Sequence, residues 1–413
     1  MALTSSWCPA LSNERWFASE RALMAEIHNV KFYPVSNGDT VQIILENRKR
    51  ILFDFHHCKA SEDGATKHVN LAKELREELK AAKCDYFDMV AFTHADEDHI
   101  KGSTDFFWLE HAAKYQGDDR IKIKELWVPA AMLIEEGTND DQLKEYVLLR
   151  QEARHRLLEG KGIRVFSKPP ALMDWLEPAL KTRGEEASAR DHLFEDAGNL
   201  AQGFSLKADG VEFFTHSPFI KHCEGGDIVR NSASLVFNIR FKCGDKTFDF
   251  LQVGDSCWQD LEEIVNITRY HGNDDRLRWD LYNIPHHCSY KALSEEKGER
   301  ETVPEPKIKE LLLDGKDQAY IVSSSDPIPD KEESYDPDLK QPPHIQARNA
   351  YERHLRAVGG RRFLVTMEQP NQIKPRPMVF EFSIAGLQLQ SSSQGGTSSI
   401  LTAAAPRVGC SDD

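Results

Sequence analysis

The chain has 413 residues, 40% of them hydrophobic and 29% charged, ordinary values for a protein that buries a sizeable core. That length exceeds the usual span of one domain but still allows one large α/β domain carrying insertions. The formal net charge of −15 argues against a surface that binds nucleic acid broadly, while leaving room for a local basic groove or for positive charge brought by a metal. No apolar run is long enough to span a bilayer and no signal-peptide pattern is present, so the sequence reads as cytoplasmic. Cys8, Cys58, Cys84, Cys223, Cys243, Cys257, Cys288 and Cys410 are widely spaced with no C-x-x-C pair. This speaks against a zinc knuckle and against a disulfide framework, and for reduced thiols.

Residues 1–28 read as a helical N-terminal arm. Val30–Val35 and Thr40–Leu45 are β-rich runs joined by Ser36-Asn37-Gly38-Asp39, a turn signal, and Ile51–Phe55 follows as a third strand. Leu71, Leu75 and Leu79 recur four apart and predict an amphipathic helix over 67–83. Asp88–Phe92 is a short apolar strand that runs into Thr93-His94-Ala95-Asp96-Glu97-Asp98-His99-Ile100-Lys101-Gly102. Residues 103–210 are less regular, with a strand end at Trp127-Val128-Pro129, a charged helix over about 140–158 and a polar stretch over 181–202. They read as an insertion that shapes substrate access. Strands return at 211–215, 234–242 and 247–253; Tyr282-Asn283-Ile284 leads to a His pair, and Tyr320-Ile321-Val322 to three serines. A helix near 344–357 and the strand Arg362–Thr366 close the pattern. The main domain therefore spans 29–385, and the Ser-, Gly-, Gln- and Ala-rich tail over 386–413 reads as disordered. There is no internal repeat of solenoid period.

Four metal-competent side chains, His94, Asp96, Asp98 and His99, fall within six residues directly after an apolar strand. Imidazole suits zinc and other transition metals, whereas carboxylates shift the preference toward manganese or magnesium. Side chains two apart in extended chain share a face, so His94, Asp96 and Asp98 can converge, and His99 can join them from the start of a helix. The alternative is a simple helix N-cap, a common use of Asp. Two further strand ends bear on the choice: Gly254-Asp255-Ser256 after Phe250–Val253, and Pro285-His286-His287-Cys288-Ser289 after Tyr282–Ile284. Asp255 alone would read as a turn or N-cap residue, whereas adjacent imidazoles at a strand end are harder to explain by packing.

The ordered set strand–H-x-D-x-D-H, strand–G-D, strand–P-H-H-x-S resembles the metallo-β-lactamase superfamily. More narrowly it resembles the hydrolase domain of the DNA-uptake competence protein ComEC and its stand-alone relatives. The resemblance runs from about residue 30 to 370 and includes Asn37-Gly38-Asp39, Leu52-Phe53-Asp54, Asn231–Val236 and Pro343-His344. It implies an α/β fold of the αββα four-layer sandwich type, with a helical insertion and the site at one edge of two facing sheets. It further implies that His94 and Asp96 serve a first metal position. Asp98, His99 and one of His286 or His287 would serve a second, with Asp255 bridging. The sequence departs from the superfamily pattern in having Asp96 where His is commoner and no third-motif His near Asn231–Ser234, although His216 and His222 lie upstream. Asp54-Phe55-His56 and Cys288 also replace the usual residues; His56-His57 read as a surface pair.

The leading functional expectation is phosphodiester hydrolysis of DNA or nucleotides by one or two Zn²⁺ or Mn²⁺ ions, with Asp98 or Asp255 orienting the attacking water. Lys101, Ser289 or Lys291 could contact the phosphate. A nucleic-acid or nucleotide substrate, an unidentified protein partner and no membrane complete that expectation. The same chemistry would serve a small ester, lactone or amide, and fold alone does not choose between them. A non-catalytic binding protein on a degenerate scaffold is the third possibility. Arg48-Lys49-Arg50 and Arg361-Arg362 are the candidate basic clusters for nucleic acid.

Overall fold

Two-residue alternation builds the strands. In β1 (His28–Phe32), Val30 and Phe32 are buried on one face while Asn29 and Lys31 point the other way. β2 (Val41–Ile44) and β3 (Arg50–Phe53) follow, and then α1 (Leu71–Ala81), which buries Leu71, Leu75 and Leu79 as their spacing predicts. Asn70 caps α1 by accepting the Lys73 backbone N–H at 3.0 Å. β4 (Tyr86–Ala91) leads through the His/Asp run into the short helices α2 (Glu97–Ile100) and α3 (Ser103–Phe106). β5 (Lys122–Pro129), α4 (Ala131–Ile134), α5 (Lys144–Glu159), β6 (Ile163–Phe166), α6 (Pro170–Lys181) and β7 (Phe194–Glu195) come next. The second half contains β8 (Val211–Ser217), β9 (Val236–Cys243), β10 (Lys246–Val253), α7 (Trp258–Tyr270) and β11 (Trp279–Asn283). It closes with α8 (Pro306–Leu313), β12 (Gly315–Ser323), α9 (Ile345–Ala357), β13 (Arg362–Val365), β14 (Met378–Ser383) and β15 (Gly386–Leu389). The structure is a computed structural model that describes residues 27–135, 144–223, 228–329 and 341–390.

The strands form two sheets, in the orders β15-β14-β1-β2-β3-β4-β5-β6-β7 and β13-β12-β11-β10-β9-β8. β3 to β7 run parallel, as do β10 to β13. The core divides into three seams. The middle seam joins the two sheets, with Ile51 and Phe53 of β3 facing Phe237, Ile239 and Phe250. Leu52, one residue along, points instead into the seam under α1, α5 and α6, and Leu251 and Val253 point into the seam under α7, α8 and α9. Three seams make four layers, the αββα sandwich that the sequence resemblance implies. Each large apolar side chain withdrawn in this way contributes about 1.5–3 kcal/mol.

The stretch 103–210 is more than an insertion laid on the domain. It supplies the helices α5 and α6, and also β5, β6 and β7, which continue the first sheet in parallel. The tail begins later than expected: residues 386–389 pair with β14 as an edge strand because Leu387 reaches the middle seam. The arm expected over 1–28 lies outside the described residues except at its end, where His28 opens β1, and so does the tail beyond residue 390. The parallel strands β4, β11 and β12, with β3 and β10, deliver their C-terminal ends to one edge of the sandwich, where ligands of open α/β sheets are held. Both candidate basic clusters sit at strand starts, the opposite end. Arg50 opens β3 and Arg362 opens β13, while Lys49 pairs with Asp209 at 2.6 Å and Arg361 with Gln318 at 2.8 Å. No helix among the described residues is long and apolar enough to cross a membrane. Six described cysteines are free thiols.

Candidate metal centre

Four strand-end loops meet at this edge. β4 delivers His94 to His99, β10 delivers Asp255, β11 delivers His287, and β3 ends at Asp54. Gly254 allows the meeting, because a Cβ there would stand 3.0 Å from the Cβ atoms of both Thr93 and Ser234. Gly38 has the same use on the other side, where a Cβ would lie 1.7 Å from His56 Nδ1. The His pair sits on strained backbone: His286, His287 and Cys288 have φ of 52°, 50° and 65°, a run of left-handed residues without glycine. Asp54 is left-handed as well, at φ 54°.

One ligand atom each from Asp98, His99, Asp255 and His287 lies within 4.8 Å of the other three. His287 Nε2 stands 3.0 Å from Asp98 Oδ2 and 3.6 Å from Asp255 Oδ2, and His99 Nε2 stands 3.3 Å from Asp255 Oδ1. His286 is not part of this group; its ring is 6.4 Å from that of His287 and nearly perpendicular to it. Of the two imidazoles that sequence left open, the second is the one brought in.

The imidazoles are aimed by their other nitrogens. His99 Nδ1 donates to Asp54 Oδ2 at 2.8 Å, and His287 Nδ1 to the Ser324 carbonyl at 2.7 Å. Asp54 is fully buried and also accepts the backbone N–H and the hydroxyl of Thr93, both at 2.7 Å. With its proton so committed, the Thr93 oxygen can accept from His94 Nδ1 at 3.1 Å. All three rings thus present Nε2 to the centre, the arrangement by which outer carboxylates and carbonyls orient metal-ligating histidines. His94 Nε2, His99 Nε2 and Asp255 Oδ1 are buried without a hydrogen bond. Of these, His99 Nε2 and Asp255 Oδ1 belong to the group with Asp98 and His287, whose two nitrogens and two carboxylates fit a divalent cation such as zinc or manganese.

Electrostatics states the same demand. Burial alone would suppress the His99 charge, but the carboxylates of Asp255, Asp54 and Asp98 outweigh it and hold its pKa well above the ordinary value. His287, against the same burial, is raised to about 9 by Asp255 and Asp98. Burial would raise Asp255, yet His287 and His99 hold it well below the usual carboxylate range. Asp98 is held down too: burial is overcome by His99 and by the hydrogen bond from His287. The cluster calls for positive charge. Asp39, also fully buried, is raised by desolvation; its Oδ1 has no hydrogen bond, and it groups with Asp54 and His99.

The first position expected from the sequence is differently furnished. His94 Nε2 lies 3.6 Å from Asp96 Oδ2, and the His94 ring lies against His99 with centroids 4.0 Å apart. No further histidine joins them among the described residues. His216 is spent on Thr268 at 3.1 Å and the Arg276 carbonyl at 3.0 Å, and His222 on Glu263 at 3.1 Å. Arg230 arrives instead, with Nη1 donating to Asp96 Oδ1 at 2.9 Å and Nε donating to Glu135. Asp96, against its burial, is brought to about 2 by His94 and Arg230. His56 and His57 are not a surface pair. His57 is buried against Glu62 at 2.9 Å, and His56 is half-buried over Gly38, with its pKa pushed down to about 3 chiefly by desolvation. Lys101 and Lys291 are engaged by Glu97 and Glu295 at 2.6 and 3.0 Å, and the Ser289 hydroxyl accepts the Lys291 backbone N–H.

Two residues here had no site role in the sequence reading. Asp54 carried a signal, an isolated carboxylate ending an apolar strand as Asp255 does. Arg230 carried only its place directly before Asn231–Ser234, a segment examined for histidine.

No family model and no curated protein matches the chain. Among solved structures it is similar to a diphosphatase from the PhnP family, at 11% identity over 71% of this chain and 85% of that one, with a TM-score of 0.27. It is also similar to the class B3 di-zinc metallo-β-lactamase LRA-12 from an Alaskan soil metagenome, at 9% identity over 79% and 90%, TM-score 0.27. A β-lactamase from Chitinophaga pinensis gives 10% identity over 79% and 90%, TM-score 0.28.

Proposed function

We propose that this chain is a metal-dependent hydrolase of phosphodiesters, in DNA or nucleotides, with a Zn²⁺ or Mn²⁺ ion held by Asp98, His99, Asp255 and His287. The observation that carries the reading is the convergence of oriented Nε2 atoms on two carboxylates across the two sheets, with His99 Nε2 and Asp255 Oδ1 buried and without hydrogen bonds. A bound ion supplies Lewis acidity and an activated water. The protein's own groups do the rest. Asp54 and Ser324 fix the His99 and His287 rings, so little reorganisation is needed at the moment of reaction. Asp98 has 34% of its side chain exposed, whereas Asp255 is buried, so Asp98 faces the solvent side and is placed to orient the attacking water. The guanidinium of Arg230, fixed on Asp96, itself two residues from Asp98, favours an anionic substrate over a neutral ester. The ComEC-like resemblance of the motifs points to the same class.

The test is a screen of the purified full chain with Mn²⁺ and with Zn²⁺ on bis(p-nitrophenyl) phosphate, single- and double-stranded DNA, RNA and a panel of lactones and esters. Phosphodiester turnover that a chelator abolishes is expected, and Asp98→Ala should fall to the chelated level while keeping its circular dichroism spectrum. Turnover of lactones with inert phosphodiesters would reverse the substrate assignment, and full activity in Asp98→Ala would remove the site.

A further inference from the structure

We propose that Arg230 is the second cation of this centre: the chain binds one divalent ion, and the guanidinium stands in for another and receives an anionic oxygen of the substrate. The inference rests on the metal site proposed above and deepens it. Arg230 is held from several sides. Its Nη1 donates to Asp96 Oδ1 at 2.9 Å, its Nε lies 3.0 and 2.9 Å from the two oxygens of Glu135, and its face lies over the Tyr146 ring at 4.9 Å from the centroid. Tyr146 is itself tied down, its hydroxyl donating to the Glu135 carbonyl at 2.9 Å. Glu135 follows α4 and Tyr146 lies on α5, so helices of the 103–210 stretch build the cage that aims this side chain. Such fixing matters because a flexible arginine would lose the entropy of ordering each time it bound.

Position argues for the role. Asp96 is the carboxylate that, beside His94, would have served another metal, and one of its oxygens is already taken by a positive charge. A divalent ion on His94 and Asp96 would share that carboxylate with the guanidinium, at the Coulombic cost of bringing like charges together. Among the described residues no third histidine compensates, since His216 and His222 are committed elsewhere. Arg230 is not sealed off: 26% of its side chain is exposed, beside Asp96 at 35%, and Asp98, two residues along from Asp96, is exposed to 34%. A planar guanidinium next to a metal-held phosphoryl group is suited to one of its non-reacting oxygens.

Counting ions separates this proposal from its parent. The purified chain, loaded with Mn²⁺ or Zn²⁺, freed of excess metal and assayed by elemental analysis, should hold one ion per chain, and His94→Ala and Arg230→Gln should each still hold one. With the metal centre so loaded, Arg230→Gln should raise KM for bis(p-nitrophenyl) phosphate by about ten- to a hundredfold, with partial recovery in Arg230→Lys. Two ions in the wild type, one of them lost in His94→Ala, would overturn the single-ion proposal while upholding the metal reading. One ion with an unchanged KM in Arg230→Gln would overturn the substrate role, and no ion at all would overturn the parent reading as well.

Discussion

His286 and His287 are adjacent imidazoles on strained backbone, and their surroundings give them different parts. His287 has its Nδ1 fixed by the Ser324 carbonyl and its Nε2 turned to Asp98 and Asp255, whereas His286 Nδ1 is buried without a partner and its ring is turned away. His287→Ala should therefore lose the bound ion and the hydrolysis, and His286→Ala should keep the ion, as elemental analysis of the two variants would show. The reverse pattern would exchange their roles. Much of this was legible in sequence: His94, Asp96, Asp98, His99, Asp255 and the His pair all lie at strand ends where a packing role is unusual. The choice between the two histidines was not legible, because it depends on where Ser324 lies 37 residues later. Arg230 was illegible for a related reason. An arginine carries no ligand signature, and its meaning comes from Asp96 and Glu135, which are distant in sequence.

Elements that look polar can still be core. α5 was expected as a charged helix, yet Glu152 and Arg156 are buried in it, joined at 2.7 Å; Arg156 also donates to the carbonyls of Ile123 and Gly162, and Glu152 accepts from His111. The network fastens α5 to β5, whose end at Trp127–Pro129 the sequence shows, and to the turn before β6; β6 and β7 are the strands within 103–210 that composition hid. Arg156→Ala would leave Glu152 buried without its counter-charge and should cost about 3–5 kcal/mol in urea unfolding; a loss near zero would mean that the network is dispensable. β8 offers a pH test. His216, buried between Thr268 of α7 and the Arg276 carbonyl, has its pKa lowered from 6.5 to about 4 by desolvation. Below 6.5 the unfolded chain takes up a proton that the folded chain refuses, so this contribution is full above that value and is lost as pH falls through about 4. It is worth up to about 3 kcal/mol. The loss of stability between about pH 7 and about pH 4.5 should be shallower in His216→Gln than in the wild type, and equal slopes would contradict the assignment.

At the scale of the molecule, the proposed ligand cluster joins the two sheets. Asp98 and His99 follow β4 of the first sheet, while Asp255 and His287 follow β10 and β11 of the second. An ion held there would bind only the folded chain and stabilise it by about 2.7 kcal/mol at a hundred times its dissociation constant. The sandwich itself was readable from alternating strands and ordered motifs; its width was not, since β5 to β7 and β15 lie in stretches assigned to an insertion and a tail. The central claim is the location of the ion, and anomalous scattering from crystals of the full chain grown with Zn²⁺ tests it most directly. The account predicts a strong peak about 2.0–2.2 Å from the Nε2 atoms of His99 and His287 and from carboxylate oxygens of Asp98 and Asp255. A zinc-loaded crystal with its strong peak elsewhere, or with none among these four residues, would contradict it.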